Sequence, residues 1–128
     1  MRAKEDLIYK EECYKIIGFI FEVFNEVGYG HKEKFYQKAV ANIFTENGII
    51  FKEQLKARVK FKGKEIGYYL FDFLVLDKIV IELKQKNYFS KKDIEQLYSY
   101  LKAVNLKLGI LVYFTNDGIR YKRIVNLK

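Results

Sequence analysis

Asp72, Glu82 and Lys84 stand inside FDFLVLDKIVIELKQK, residues 71–86, a run of aromatic and β-branched residues that reads as two consecutive strands. Strands of this composition bury their side chains, and burying an ionised carboxylate is costly unless a cation or hydrogen bonds neutralise it. Two neighbouring acids therefore need a positive partner. Lys84 could supply it within a buried salt-bridged cluster; a bound metal ion is the other solution. Residue types alone leave both open.

The period-two geometry of strands decides whether the three side chains can meet. On the second strand Val80, Glu82 and Lys84 share one face, and Ile79, Ile81 and Leu83 share the other. On the first, Asp72 lies with Leu70 and Leu74. In an antiparallel hairpin Asp72 comes opposite Glu82 only when Leu76, Asp77 and Lys78 together form the loop. A tighter Asp77-Lys78 turn would send the acids to opposite faces. Co-location thus predicts a three-residue loop or a compensating bulge.

The elements that must position them follow from the periodicity. The chain of 128 residues has the size of one domain, expected to span 1–128 without a linker or repeat. Residues 5–27 place Leu7, Ile8, Ile16, Ile17, Ile20, Val23, Phe24 and Val27 at helical spacing, and VGYG ends that helix. A second helix runs from Glu33 to Glu46 with Tyr36, Ala39, Val40 and Phe44 on one side and Asn47-Gly48 as its stop. In LKARVKFKGK the period changes to two, giving a strand with an apolar face of Leu55, Ala57, Val59 and Phe61 and a basic face, turned back at KGK. Residues 65–76 and 78–84 supply the next strands.

Ser90 with Asp93 three residues later is an N-terminal capping signature for a helix ending near Asn105, with Ile94, Leu97, Leu101 and Val104 inward. KLGILVYFT is a continuous apolar strand of the kind buried on both faces, and GIRYKRIV is the last. The order ααβββαββ implies an α/β fold: a mixed sheet flanked by helices, with a crossover between parallel neighbours at residues 78–114.

Composition narrows the chemistry. Half the residues are hydrophobic, 17% are aromatic and 31% are charged, the profile of a soluble globular protein. The lone cysteine, Cys13, excludes an internal disulfide or a cysteine-based zinc cluster and is expected in the core. The most apolar N-terminal run, IIGFIFEVF, is short and carries Glu22, so neither a signal peptide nor a membrane span is expected and the cytoplasm is the default location. The net charge of +8 favours a polyanionic partner such as nucleic acid, with plain solubility as the alternative. Lys56, Arg58, Lys60 and Lys62 either guard an edge strand against aggregation or follow a phosphate backbone, helped by Lys86, Lys91, Lys92, Arg120, Lys122 and Arg123.

Asp72, nine residues, then Glu82-Leu83-Lys84 resembles the signature of the PD-(D/E)XK nuclease superfamily, with Phe71 in place of its proline. GHKEKFY supplies Gly30-x-x-Glu33-x-x-Tyr36, which resembles the namesake motif of the GxxExxY family, a branch of that superfamily. QLYSY supplies Gln96-x-x-x-Tyr100, similar to a helix motif of RecB-like nucleases. The resemblance runs from about Gly28 to the C-terminus.

This resemblance implies a restriction-endonuclease-like fold and a Mg- or Mn-dependent (endo)deoxyribonuclease. Asp72 and Glu82 would be direct ligands of the ion, with the Leu83 carbonyl as a third and Glu33 reaching it directly or through water. Lys84 would orient the attacking water or stabilise transition-state charge. Gln96 would contact phosphate or orient Lys84. For Glu33 the competing role is favourable placement at a helix N-terminus, and for Tyr36 and Tyr100 it is packing; His31 is read as structural. Lys56, Arg58, Lys60, Lys62, Lys86 and Tyr100 are the nucleic-acid-binding candidates. DNA is the expected partner, with RNA open, and cleavage is expected to be structure-directed or weakly sequence-selective, by a homodimer on branched DNA or a monomer at ends. The competing class is a non-catalytic nucleic-acid-binding or assembly module that keeps the fold.

Overall fold

The computed structural model describes residues 4–127. In chain order the elements are α1 (Lys4–Leu7), α2 (Lys10–Val27), α3 (Glu33–Glu46), β1 (Phe51–Phe61), β2 (Lys64–Val75), β3 (Ile79–Lys84), α4 (Lys91–Val104), β4 (Leu108–Thr115) and β5 (Gly118–Val125). The strands form one five-stranded sheet in the order β1-β2-β3-β4-β5. β3 and β4 are parallel, joined across α4, and the other neighbours are antiparallel. This is the mixed sheet flanked by helices that the periodicity implies.

The single helix expected over residues 5–27 is divided. Tyr9 adopts a left-handed conformation (φ 49°) that a right-handed helix cannot propagate. Arg123 reaches from β5 to donate to the Ile8 carbonyl at this break, and Lys78 sits 4.5 Å from the Tyr9 ring centroid while pairing with Glu12 at 2.8 Å.

Alternation along the inner strands builds two cores. On one face α2 and α3 bring Ile16, Ile20, Val40 and Phe44 against Phe73, Ile79, Ile81 and Ile110. Tyr36 stacks on Phe114 at 4.1 Å, and Phe24 stacks on the same ring at 5.8 Å. On the other face Leu97 and Leu101 of α4 cover Val80, Leu111 and Tyr113. β4 is buried along its whole length, as its unbroken apolar sequence requires. Gly109 lets α4 approach closely: a Cβ there would lie 2.7 Å from the Leu97 side chain.

The β1–β2 hairpin turns at Lys62-Gly63, both at positive φ (49° and 81°), as a two-residue turn matched to strand twist requires. Its base is packed and its tip is not. Leu55 and Ala57 join the α4-side core, whereas Val59 and Phe61, expected on the same apolar face, are 36% and 60% exposed. The register shift between Val59 and Lys60 marks where the hairpin leaves the body.

The β2–β3 pairs Val75↔Ile79, Leu74↔Val80 and Phe73↔Ile81 leave Leu76, Asp77 and Lys78 as the loop. The register that brings Asp72 to Glu82 is therefore the one formed.

Candidate active site

The β2–β3 ladder ends one residue short of the two acids, at Phe73↔Ile81. At the next rung the side chains replace the ladder. Glu82 Oε1 accepts a hydrogen bond from the Asp72 backbone N–H at 3.2 Å, and Asp72 Oδ2 accepts from the Leu83 N–H at 2.7 Å. Each carboxyl thus takes a backbone donor from the other strand, and the strands part around them.

The sheet is disturbed on the other side of Asp72 too. In the β1–β2 ladder Glu53↔Phe73 and Leu55↔Phe71 are paired but the intervening residues are not, and Gln54, opposite Asp72, has a left-handed φ of 53°. The alternation slips here. Phe73 packs on Phe44 of α3 at 5.5 Å, whereas Phe71, two residues earlier, meets Tyr100 of α4 on the opposite face at 5.0 Å. Leu70, expected beside Asp72 and Leu74, is 46% exposed.

Burial and proximity set the charge state. Glu82 lies within the central strand, and burial, followed by its hydrogen bond to and repulsion from Asp72, pushes its pKa up to about 9. Burial also raises Asp72, and the nearby Glu33 charge adds to it, while the bonds to Glu82 and the Leu83 N–H and the Lys84 charge oppose the rise. Both shifts favour the protonated forms, so the pair resists carrying two negative charges. Lys84 Nζ lies 3.7 Å from Glu82 Oε2, on the shared strand face that period two predicts.

Glu33 opens α3, and its Oε2 accepts from the Gln85 N–H at 2.8 Å, tying that helix to the exit of β3. Its charge is felt by Asp72. Among the described residues no three Asp, Glu, His or Cys side chains already converge on one ion position, so Glu33 stands beside the acidic pair and not within it. Tyr36 is fully buried, donating to the Gly28 carbonyl at 2.6 Å and accepting from the His31 N–H at 3.3 Å. It fixes the turn that leads into Glu33. His31 Nε2 is 2.7 Å from the Val27 carbonyl and completes that turn.

The donor set suits a hard divalent cation. Asp72 and Glu82 offer carboxylate oxygens, which a bound ion would favour in their deprotonated form. The Leu83 N–H is turned into the gap, and in an extended strand the carbonyl of the same residue projects to the same side. One residue beyond Lys84, the Gln85 side-chain oxygen is buried without a hydrogen-bond partner among the described residues. It is a further oxygen available at the β3 exit.

A second buried cluster escapes a reading of the sequence. Asp93 Oδ2 accepts from the Tyr113 hydroxyl at 2.5 Å and from Lys86 Nζ at 2.9 Å, and the Ser90 N–H donates to the Tyr113 oxygen at 3.1 Å. Ser90 Oγ caps α4 by accepting from the Asp93 N–H at 3.3 Å, the one part with a local signature. Burial works to raise Asp93, but its bonds to Tyr113 and Lys86 hold it below the usual carboxylate range. Burial and Asp93 push Tyr113 up to about 12. Tyr113 sits in an unbroken apolar run, so nothing in the sequence points its hydroxyl to a partner.

The remaining candidates are spread around this centre. Lys56 Nζ lies over the Tyr68 ring at 4.3 Å, Arg58 is paired with Glu65 at 2.5 Å, and Lys60 and Lys62 are exposed near the tip of an edge strand. Gln96 and Tyr100, one turn apart, border a groove between α4 and the β1–β2 hairpin.

Residues 10–124 match the family model of the PD-(D/E)XK nuclease superfamily. The chain belongs to that superfamily. Among solved structures it is similar to SSO0001 (TM-score 0.56, 19% identity), covering 96% of this chain and 60% of that one, so it spans about 60% of that protein's length. It is also similar to an alkaline exonuclease from Laribacter hongkongensis (TM-score 0.53, 15% identity; 98% of this chain, 72% of that one). The same exonuclease in complex with dAMP matches with TM-score 0.53 and 15% identity, over 89% of this chain and 69% of that one. No curated protein matches the sequence. These similarities establish the restriction-endonuclease-like fold.

Proposed function

We propose that this chain is a divalent-metal-dependent nuclease of the GxxExxY branch that hydrolyses phosphodiester bonds in DNA with little sequence selectivity. One observation carries the reading: Asp72 and Glu82 abandon the sheet ladder to face one another, with Lys84 alongside. A domain selected only to bind would gain stability by replacing these acids with apolar residues.

In this reading Asp72, Glu82 and the Leu83 carbonyl would hold Mg²⁺ or Mn²⁺, with Glu33 reaching it directly or through water, and the group would supply Lewis-acid polarisation of the scissile phosphate and a more acidic water. The chain's own groups do the rest. Lys84, held by Glu82 at 3.7 Å, is placed to orient the attacking water or to neutralise charge growing on the phosphoryl oxygens. Glu33 fixes the β3 exit through Gln85, which sets the position of Lys84. The net charge of +8 draws the polyanion in. The dAMP bound to the Laribacter exonuclease supports a nucleotide as the ligand class of this fold.

Labelled linear, single-stranded and branched DNA, incubated with Mg²⁺, Mn²⁺ or EDTA, tests the proposal. Metal-dependent cutting should be lost in Asp72→Ala and Lys84→Ala. Tight, salt-sensitive binding without cutting under any condition would replace the enzyme with a binding module.

A further inference from the structure

Cavities lie on both sides of the sheet. One, of about 340 Å³ between α2 and α3, is walled by Glu22, Glu26 and Glu46 and repels a polyanion. Another, of about 380 Å³, lies between α4 and the inner face of the β1–β2 hairpin. Its hairpin wall is Ala57, Arg58, Val59 and Tyr69, and its helix wall includes Gln96 and Tyr100. The walls are mainly apolar and aromatic, yet they stay open: Tyr69 is 45% exposed.

We infer that this groove seats unpaired bases of the nucleic-acid strand whose phosphate enters the acidic gap, so that the substrate is single-stranded, or frayed, at the cutting point. The inference deepens the nuclease proposal and rests on it. Three observations support it. First, groove and acidic pair are neighbours along β2, because Tyr100, a groove wall, packs at 5.0 Å on Phe71, the residue preceding Asp72. Second, cationic groups stand at one end of the groove. Lys92, in the lining, belongs to the first turn of α4 beside Asp93, which binds Lys86 at 2.9 Å and senses the Lys84 charge. That end suits phosphates, and the helix N-terminus adds to its positive potential. Third, the volume admits a nucleobase or two between aromatic walls, a sequence-tolerant mode of binding single strands, but not a base-paired helix. Gln96 and Glu95 give the groove hydrogen-bonding groups at base edges without a fixed code.

The test is binding in EDTA, which separates it from cleavage. A fluorescent oligodeoxythymidylate of about 20 nucleotides, longer than a site of this type needs, is compared with its duplex by anisotropy. The single strand should bind at least about tenfold more tightly. Tyr69→Ala should weaken it by roughly 5- to 150-fold, the range for loss of one stacked base, while Tyr69→Phe retains binding. Ser99→Trp, at an exposed α4 position in the lining, should block the groove and match Tyr69→Ala. A 5-iododeoxyuridine oligonucleotide should photocrosslink to Tyr69 or Tyr100. Equal affinity for single strand and duplex, wild-type binding by both Tyr69→Ala and Ser99→Trp, or crosslinks confined to the α2–α3 face would overturn the assignment. Single-strand preference with no cutting in either Mg²⁺ or Mn²⁺ would instead count against the nuclease proposal alone.

Discussion

Replacing Glu82 by glutamine should make the metal-free protein more stable, and increasingly so as pH rises. The fold raises the Glu82 carboxyl from 4.5 to about 9. A group raised in this way favours the protonated folded form, so its contribution is fully present below the unfolded pKa and is lost as pH climbs from 4.5 towards 9. Each unit is worth about 1.4 kcal/mol, which sets a ceiling of about 4 kcal/mol at pH 7.5. Coupling to Asp72 and dielectric relaxation bring this to about 2 kcal/mol, or roughly 5–10 °C in melting temperature for a domain of this size. The amide of the Glu82→Gln variant keeps the oxygen that accepts from the Asp72 N–H and gains a donor towards the Asp72 carboxyl, without a proton to lose. Thermal melts in EDTA across pH 4.5 to 8.5 are the assay. Wild type and Glu82→Gln should nearly coincide at the acid end and separate towards the alkaline end. Mg²⁺ should then raise the wild-type melting point at pH 8 and move the variant much less. A variant that melts at or below wild type at pH 8, or a difference that does not grow with pH, would refute the view that the acidic pair is a destabilising feature relieved by a cation.

Three further outcomes are expected. Gly109→Ala should destabilise by about 1–3 kcal/mol in urea unfolding, because the new Cβ would meet the fully buried Leu97 at 2.7 Å. Tyr113→Phe should cost about 1–2 kcal/mol and raise the Asp93 pKa, measurable by NMR titration, since it removes the hydroxyl bonded to Asp93 and to the Ser90 N–H. Tyr36→Phe should cost about 1 kcal/mol and slow cleavage without abolishing it, as the Gly28–His31 turn that aims Glu33 loses its hydroxyl anchor.

Most of the framework is legible because burial writes itself into periodicity. Two-sided burial of β4 appears as KLGILVYFT, and the hairpin register follows from the requirement that Asp72 and Glu82 meet. What stays hidden depends on contacts between elements distant in sequence. The Tyr9 break in the first helix lies beside an Arg123–Ile8 bond and a Lys78–Glu12 pair. The left-handed Gln54 has no glycine to announce it. The Asp93–Tyr113–Lys86 cluster joins α4, β4 and the β3–α4 connection, and only its local cap at Ser90 has a sequence signature. Alternation in β1 continues to Phe61 and so extends its apolar face past Ala57, yet no described element covers that part of the hairpin.

The departures from regularity converge on one place, and that convergence is itself informative. Gln54 twists β1 opposite Asp72, β2 slips phase between Phe71 and Phe73, and the β2–β3 ladder stops before Glu82. Each alone weakens the sheet, and regular pairing with apolar residues would remove all three costs. Together they open a gap in the centre of an otherwise continuous sheet, line it with two backbone-bonded acids and place Lys84 at its mouth. A sheet interior is otherwise closed to a phosphate and to water. The break at this rung is what leaves the two carboxyls bonded to backbone N–H groups with Lys84 beside them, the arrangement on which the proposed chemistry rests.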